Sequence, residues 1–439
     1  MSAIAALRRL PVPAGLRRRF ANGLHADLLA LGSAQMAVRV SRLVTTILLA
    51  RVLSPADVGL AAVVLTVYEL VAIITRNGIS ARVVQAGADE VMAVAETAHT
   101  LTWIICGGLV VVQLALAWPV ALAFGDPRLA WPIMAMAPIY LATPLSSIQG
   151  AFIQREGRVR RFAAASAAQV IADNLLCGLL ALTGLGMWAI ILPKLLVAPI
   201  WAASLRFGHP WRAGRLFGGP LAGSRAILRF SRSVLGVEFL TTLQANVDNL
   251  LVGAFLGAEA LGLYFFAFNA GLGITLGLVN AFGMAVFPHL CAARGDAGEL
   301  RQRFRKSLWS LAVIVVPLVL LQVSLAPVYV PLVFGAKWAP AIPVLMLICL
   351  SALPRPFASA TSQLLKAVGR PDIELRWQAG ITVAFVLAIL AALPFGIIGV
   401  AGAVLSVQLA GLTAFCLVAP RNVLGEGPTA AAPAPCPAG

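Results

Sequence analysis

Gln35, Arg39, Arg42 and Thr46 interrupt an apolar run at spacings of 4, 3 and 4 residues, so on a helix they share one face. A charge at the centre of a bilayer costs roughly 2.5–3.5 kcal/mol on insertion scales, so each arginine must face water, a partner or a substrate. A second stripe stands 203 positions later. There Glu238, Thr242, Ala245 and Asn249 occupy the matching positions, with Asn246 and Asp248 alongside. One stripe is cationic and the other acidic. Two readings stand: the stripes line a gap between two halves of the molecule, or Arg39 and Arg42 pair with Glu238, Asp248 or Glu69 and staple helices together.

Ser351, Arg355, Ser359, Ser362 and Lys366 form a third polar face. Arg355 sits between Pro354 and Pro356, where the helix ladder is broken and carbonyls are freed, a device common at transporter sites. Ser166, Gln169 and Asp173 share a fourth face, followed by Asn174, and Lys194 follows Pro193. Lys194 either neutralises Asp173 within one bundle or leaves it a coupling role. Asp173, Asp248 and Glu69 are the carboxylates able to take up a proton or hold Na⁺, given a raised pKa or a carbonyl-rich pocket. Coupling to H⁺ or Na⁺ is the only cofactor-like requirement expected. The cysteines lack metal or redox spacing. No glycine-rich phosphate loop, HExxH or nucleophile elbow occurs, which speaks against an enzyme or an ATP motor in this chain.

The elements that carry these residues are membrane spans. The 439 residues are 60% hydrophobic and 11% charged, and apolar runs near 20 residues, the length that crosses a bilayer, recur from 28–49 to 396–418. We count about twelve, which predicts an all-α polytopic membrane protein. The pattern also repeats. Leu53, Gly59 and Leu60 return as Leu256, Gly262 and Leu263, and Phe124-Gly125 returns as Phe334-Gly335. Six spans per half is an even number, so both halves enter from the same side. The expectation is two parallel-repeat six-helix lobes around a central cavity.

The formal charge of +16 does not indicate nucleic acid. With both termini cytoplasmic, only Arg51, Arg128 and Lys337 of the 33 lysines and arginines fall on the far side, and Arg39, Arg42, Lys194, Arg232 and Arg355 fall in or at the edge of spans. That asymmetry is the positive-inside rule. The division expected is a basic cytoplasmic segment over 1–26, a first lobe over 27–206, a cytoplasmic connection over 207–229, a second lobe over 230–420 and a disordered Ala/Pro-rich tail over 421–439. Loops on the far side, such as Gly184-Leu185-Gly186 and Phe395-Gly396, leave no room for a catalytic domain.

Leu49-Ala-Arg-Val-Leu-Ser-Pro-Ala-Asp-Val-Gly-Leu60 resembles the loop after the first span in the polysaccharide transporter family, the Wzx-like oligosaccharide flippases. Asn246-Val-Asp-Asn-Leu-Leu-Val-Gly253, continuing to Tyr264, resembles that family's seventh-span signature. Phe287-Pro288, Phe334-Gly-Ala-Lys-Trp338 and Ala367-Val-Gly-Arg370 follow in order. The resemblance covers about 30–415. It implies the fold of the multidrug/oligosaccharidyl-lipid/polysaccharide exporters, and a flippase that carries a polyprenyl-diphosphate-linked oligosaccharide across a bacterial cytoplasmic (inner) membrane by alternating access. The lipid-linked oligosaccharide, the bilayer and a glycan polymerase or export machinery are then the partners. Because arginine binds phosphate oxygens bidentately, Arg39, Arg42 and Arg355 become candidates for the diphosphate, while Glu238 and Asp248 serve coupling or sugar hydroxyls. The alternative is a cation-coupled exporter of small soluble compounds of the same superfamily.

Overall fold

Ser54 ends one helix and starts the next. The helix over 35–52 (α1) gives way to α2, Pro55–Ala72. Ser54 Oγ accepts from Asp57 N at 3.1 Å, and the Asp57 carboxylate accepts from Ser54 N at 3.4 Å. This is a capping box, with Pro55 at the first helical position, where a missing N–H costs nothing. The Ser-Pro-Ala-Asp motif is thus a helix start written out in full. The structure, a computed structural model, describes residues 35–75, 78–214, 221, 223–291, 293, 296–368 and 370–425, with some side chains between 222 and 294 and those at 159, 371, 372 and 422–425 left aside. The expected 1–26 segment and the tail from 426 lie outside them.

The first half continues through α3, Val91–Ala123, and a bent pair, Pro127–Ala142 and α4, Ser147–Arg155, which meet at 48°. It closes with α5, Val159–Ala181, and α6, Trp188–Arg206. In the second half the helical stretch Ser224–Cys291 breaks at Gly257, whose φ of 87° suits a residue without a Cβ. Gly257 is the repeat counterpart of Ser54, so a capped loop in one half is a glycine turn in the other. The turn is a reversal, because Tyr264 Oη lies 2.8 Å from Asp248 Oδ2, whereas sixteen residues of straight helix would span about 24 Å. The arms are α7 (224–256) and α8 (258–291). Then come α9, Ala297–Tyr329, a short helix Ile342–Ser351 running into α10, Arg355–Val368, and α11, Pro371–Ala392, and α12, Gly396–Gly425. The last two also form an antiparallel pair: a Cβ on Gly411 would meet Ile381 Cγ1 at 3.1 Å.

Among the described residues eight helical stretches are long and apolar enough to cross a membrane, or nine with the bent pair counted as one span. The expected count was twelve. Two of the eight, Thr241–Gly271 and Ile373–Arg421, each contain a reversal at Gly257 or Gly396. The helix over 35–52 carries three arginines, Arg39, Arg42 and Arg51, more charge than an ordinary apolar span holds.

The halves meet where α2 crosses α8. A Cβ on Gly59 would lie 1.7 Å from Ala258 O, and one on Gly262 would lie 1.8 Å from Pro55 O. Both pairs are repeat mates, so the contact is exchanged by a two-fold operation, as at an isologous interface. Beside it the loops of the two halves also interlock. Trp338 Nε1 donates to Ala50 O at 2.7 Å, and Lys337 Nζ donates to Arg51 O at 2.9 Å and Leu53 O at 2.7 Å. Arg51 Nε donates to Val333 O at 2.7 Å. In the mirror position, Phe124 lies where a Cβ on Gly253, the counterpart of Ala50, would come within 2.7 Å of its ring. Trp338, fully buried, stacks on Phe266 with centroids 4.2 Å apart. This end of the bundle is closed.

Candidate functional site

Ser41 and Thr45 tie α1 to α5. Asn174 Nδ2 donates to Ser41 Oγ at 2.9 Å, and Thr45 Oγ1 donates to Asn174 O at 2.9 Å. Gln35, Arg39 and Arg42 occupy the face turned away from these bonds, and all three are exposed. An arginine on an apolar helix keeps its guanidinium available only where water or an anion can reach it. On α5, Lys194 Nζ of α6 bonds Asp173 Oδ2 at 3.1 Å. The other oxygen, Asp173 Oδ1, is buried with no hydrogen-bond partner, so the pair leaves half of the carboxylate unanswered.

Glu69 on α2 reaches across the seam to the second half. Asn246 Nδ2 of α7 donates to Glu69 Oε2 at 3.4 Å and to Thr242 O at 3.0 Å. Next to Glu69 lies a buried polar chain that inspection of the sequence did not single out. Tyr68 and Tyr140 stack with centroids 5.3 Å apart, and Tyr140 Oη donates to Gln113 Oε1 at 3.1 Å, while Gln113 Nε2 donates to Ile133 O at 3.0 Å. Gln113 is fully buried. The signal available was one amide in the long apolar run of α3, and nothing local names its partner.

Thr242, Asn246 and Asn249 share one buried face of α7, as their spacing requires. Asp248 points elsewhere, into its own half. It is 2% exposed and accepts from Tyr264 Oη at 2.8 Å and from Asn249 N at 2.9 Å. Arg355, at the start of α10, lies within electrostatic reach of it. Arg355 Nε and Asn249 Oδ1 are buried without hydrogen-bond partners. Buried polar atoms are nearly always satisfied, so this interior is arranged for something that supplies donors and acceptors. The structure brings together Asp248, Tyr264 and Arg355, and separately Glu69 and Asn246, with Asn249 on the Asn246 face of α7. Arg39 and Arg42 stand on the exposed face of α1, away from the interior that holds Arg355. The Glu238 side chain lies outside the described residues. No cluster of three or more metal-ligating side chains occurs among the described residues.

Two exposed arginines, a cross-seam amide–carboxylate contact and a buried carboxylate–arginine interior, all around a seam sealed at one end, can bind an anionic group and move charge. They hold no nucleophile set against a base. Comparison with known proteins gives a family and a fold. A family model described as polysaccharide biosynthesis protein matches residues 48–343. The teichuronic acid biosynthesis protein TuaB of Bacillus subtilis (strain 168) is 26% identical over 68% of this chain; the match spans 62%, under two thirds, of TuaB. The lipopolysaccharide biosynthesis protein WzxC of Escherichia coli (strain K12) is 28% identical over 91% of this chain and 79% of its own. Among solved structures, the lipid II flippase MurJ in an inward closed conformation superposes with a TM-score of 0.74 at 14% identity, covering 89% of this chain and 87% of that one. An inward-facing multidrug resistance transporter of the MATE family and MOP superfamily gives 0.71 at 14% identity, covering 92% and 100%. At that identity the structures establish the shared fold.

Proposed function

The chain belongs to the polysaccharide biosynthesis protein family, and from that premise we propose that it is a flippase for a polyprenyl-diphosphate-linked oligosaccharide. It carries this substrate across the bacterial cytoplasmic membrane by alternating access, for an exopolysaccharide, capsule or O-antigen-type polymer. It is not an enzyme, and the oligosaccharide reaches it already linked to lipid. A glycan polymerase or export machinery takes the product.

The observation that carries the reading is the reciprocal seam of Gly59 with Gly262. A contact exchanged by a two-fold operation closes one end without mixing the two halves, so either can rock against the other about it. The positive-inside distribution supports an orientation with this sealed end, carrying Arg51, Arg128 and Lys337, outward and both termini in the cytoplasm. The cavity then opens toward the leaflet where the substrate is made. Arg39 and Arg42, exposed on α1, meet the diphosphate bidentately, and Arg355 serves it deeper in. Gln35, Asn246 and Asn249 offer amides to sugar hydroxyls. Asp248, Asp173, Glu69 and Glu238 are the acids from which coupling to H⁺ or Na⁺ draws. Asp248 suits that task best, since protonation leaves it hydrogen-bonded to Tyr264 while changing its attraction for Arg355.

A strain deleted for this gene tests the reading. Lipid-linked precursor accumulates on the cytoplasmic face, surface glycan is lost, and the wild-type gene restores both. Unchanged precursor and glycan, in a strain with no second flippase, would sink it.

A further inference from the structure

α11 and α12 leave between them a groove of about 720 Å³ on their exposed face. Its floor is made of small residues, Gly380 and Ala384 on one helix and Ala410 and Gly411 on the other. Arg376 stands exposed at one end. From Arg376 to Ala384 the slot runs about 12 Å along the helix. The cation is at the end nearest Lys366 and Arg370, the basic edge of the membrane, and the apolar part leads inward. Glu374, two residues away, is engaged by Ser362 Oγ at 2.5 Å and lies 3.7 Å from Lys366 Nζ. Arg376 has no carboxylate partner among the described residues.

We propose that this groove is a docking site for the transported lipid before translocation, with the diphosphate first on Arg376 and the first part of the polyprenyl chain in the Gly380–Gly411 slot. The inference rests on the flippase reading above and says where the lipid waits before it reaches Arg39, Arg42 and Arg355: on the outer face of α11 and α12. Charge complementarity selects an anionic head. Width selects the tail, because adjacent helices pack roughly 8–10 Å apart and a slot between them takes one chain, where a phospholipid brings two. Gln378, on the other side of α11, hydrogen-bonds Gln244 of α7, so α11 stands between the groove and α7. Thr242 and Asn246, each two residues from Gln244, lie on the far face of that helix.

The test uses the full chain in nanodiscs and a polyprenyl diphosphate carrying a diazirine in its chain. A Cβ on Gly380 would meet nothing within 4 Å, so Gly380→Leu fills the slot without forcing the helices apart. Labelling is expected on the peptides holding 380–384 and 406–411, to fall to background in Gly380→Leu, and to need about tenfold more probe in Arg376→Gln, the loss of one charge-assisted contact. Excess phosphatidylglycerol should not compete. Labelling elsewhere, labelling indifferent to both variants, or equal competition by phosphatidylglycerol would overturn the proposal. Wild-type transport measured in parallel separates the failures. Transport with labelling elsewhere refutes the groove alone, and neither transport nor labelling refutes the flippase reading with it.

Discussion

Gly59 and Gly262 face each other across the seam with no space for a side chain on either, and they are the same residue of the repeat, 203 positions apart. Each lies on a helix whose first turn supplies the carbonyl that the other would strike. A two-fold contact at backbone distance shuts one end of the bundle while leaving each half a separate unit.

Gly59→Val and Gly262→Val should therefore have the same effect. Each pushes α2 from α8 and destabilises the closed seam by about 1–3 kcal/mol, the usual cost of overpacking. Thiol accessibility of a cysteine at Leu53 should rise in both. Gly107→Ala, where a Cβ meets nothing within 4 Å, should behave as wild type.

Asp248 and Arg355 test the buried interior. Asp248→Ala leaves the buried Tyr264 Oη without its acceptor and takes away the carboxylate that Arg355 senses, and should cost about 1–3 kcal/mol. Asp248→Asn combined with Arg355→Gln removes both charges and should recover much of that stability in thermal unfolding of purified protein. If the double variant is as unstable as the sum of the single ones, the two charges are not coupled.

How much of this was legible in the sequence differs between elements. The capping box at Ser54 to Asp57 is local chemistry, and it stood in the sequence as it stands in the structure. The repeat was legible as matched residues, but the reason for the glycines was not, because a backbone crossing is visible only when both halves are placed. Asn246 and Asp248 stood in the sequence alongside one stripe. Two residues apart, they take nearly opposite faces of α7, one toward Glu69 and the other toward Tyr264. Gln113, Tyr140 and Tyr264 were missed because each is a single polar group in an apolar run, and only tertiary contact gives it a partner.

Asp173 and Lys194 separate a structural pair from a working one. The pair is part-exposed, 20% and 33%, so its coupling energy should be about 1 kcal/mol. Exchanging the residues, Asp173→Lys with Lys194→Asp, should restore both stability and transport if the pair only ties α5 to α6. Restored stability with transport still lost would assign Asp173 to coupling.

The segment after α6 has a pH-dependent attachment. Trp211 N donates to His209 Nδ1 at 3.1 Å, which leaves Nε2 to donate to Glu156 Oε1 at 2.9 Å. Arg158, and then His209, hold the Glu156 carboxyl below its ordinary 4.5. A depressed carboxylate contributes stability above its unfolded pKa and loses it as pH falls through the folded value. Protease cleavage within 207–214 should thus be slow at neutral pH and accelerate below about pH 4.5. Glu156→Gln should cleave faster at neutral pH, with that acid step flattened.

The most direct test of the central claim is translocation by the purified chain. Proteoliposomes carry a fluorescent polyprenyl-diphosphate-linked oligosaccharide, and a membrane-impermeant quencher reports which leaflet holds it. Cysteines at positions 51 and 337, where Lys337 Nζ meets Arg51 O, allow the closed end to be locked with a short thiol crosslinker and released by reduction. The account predicts protein-dependent crossing that stops when the seam is locked and resumes when it is freed. Crossing no faster than in protein-free vesicles, or crossing indifferent to the lock, would contradict it.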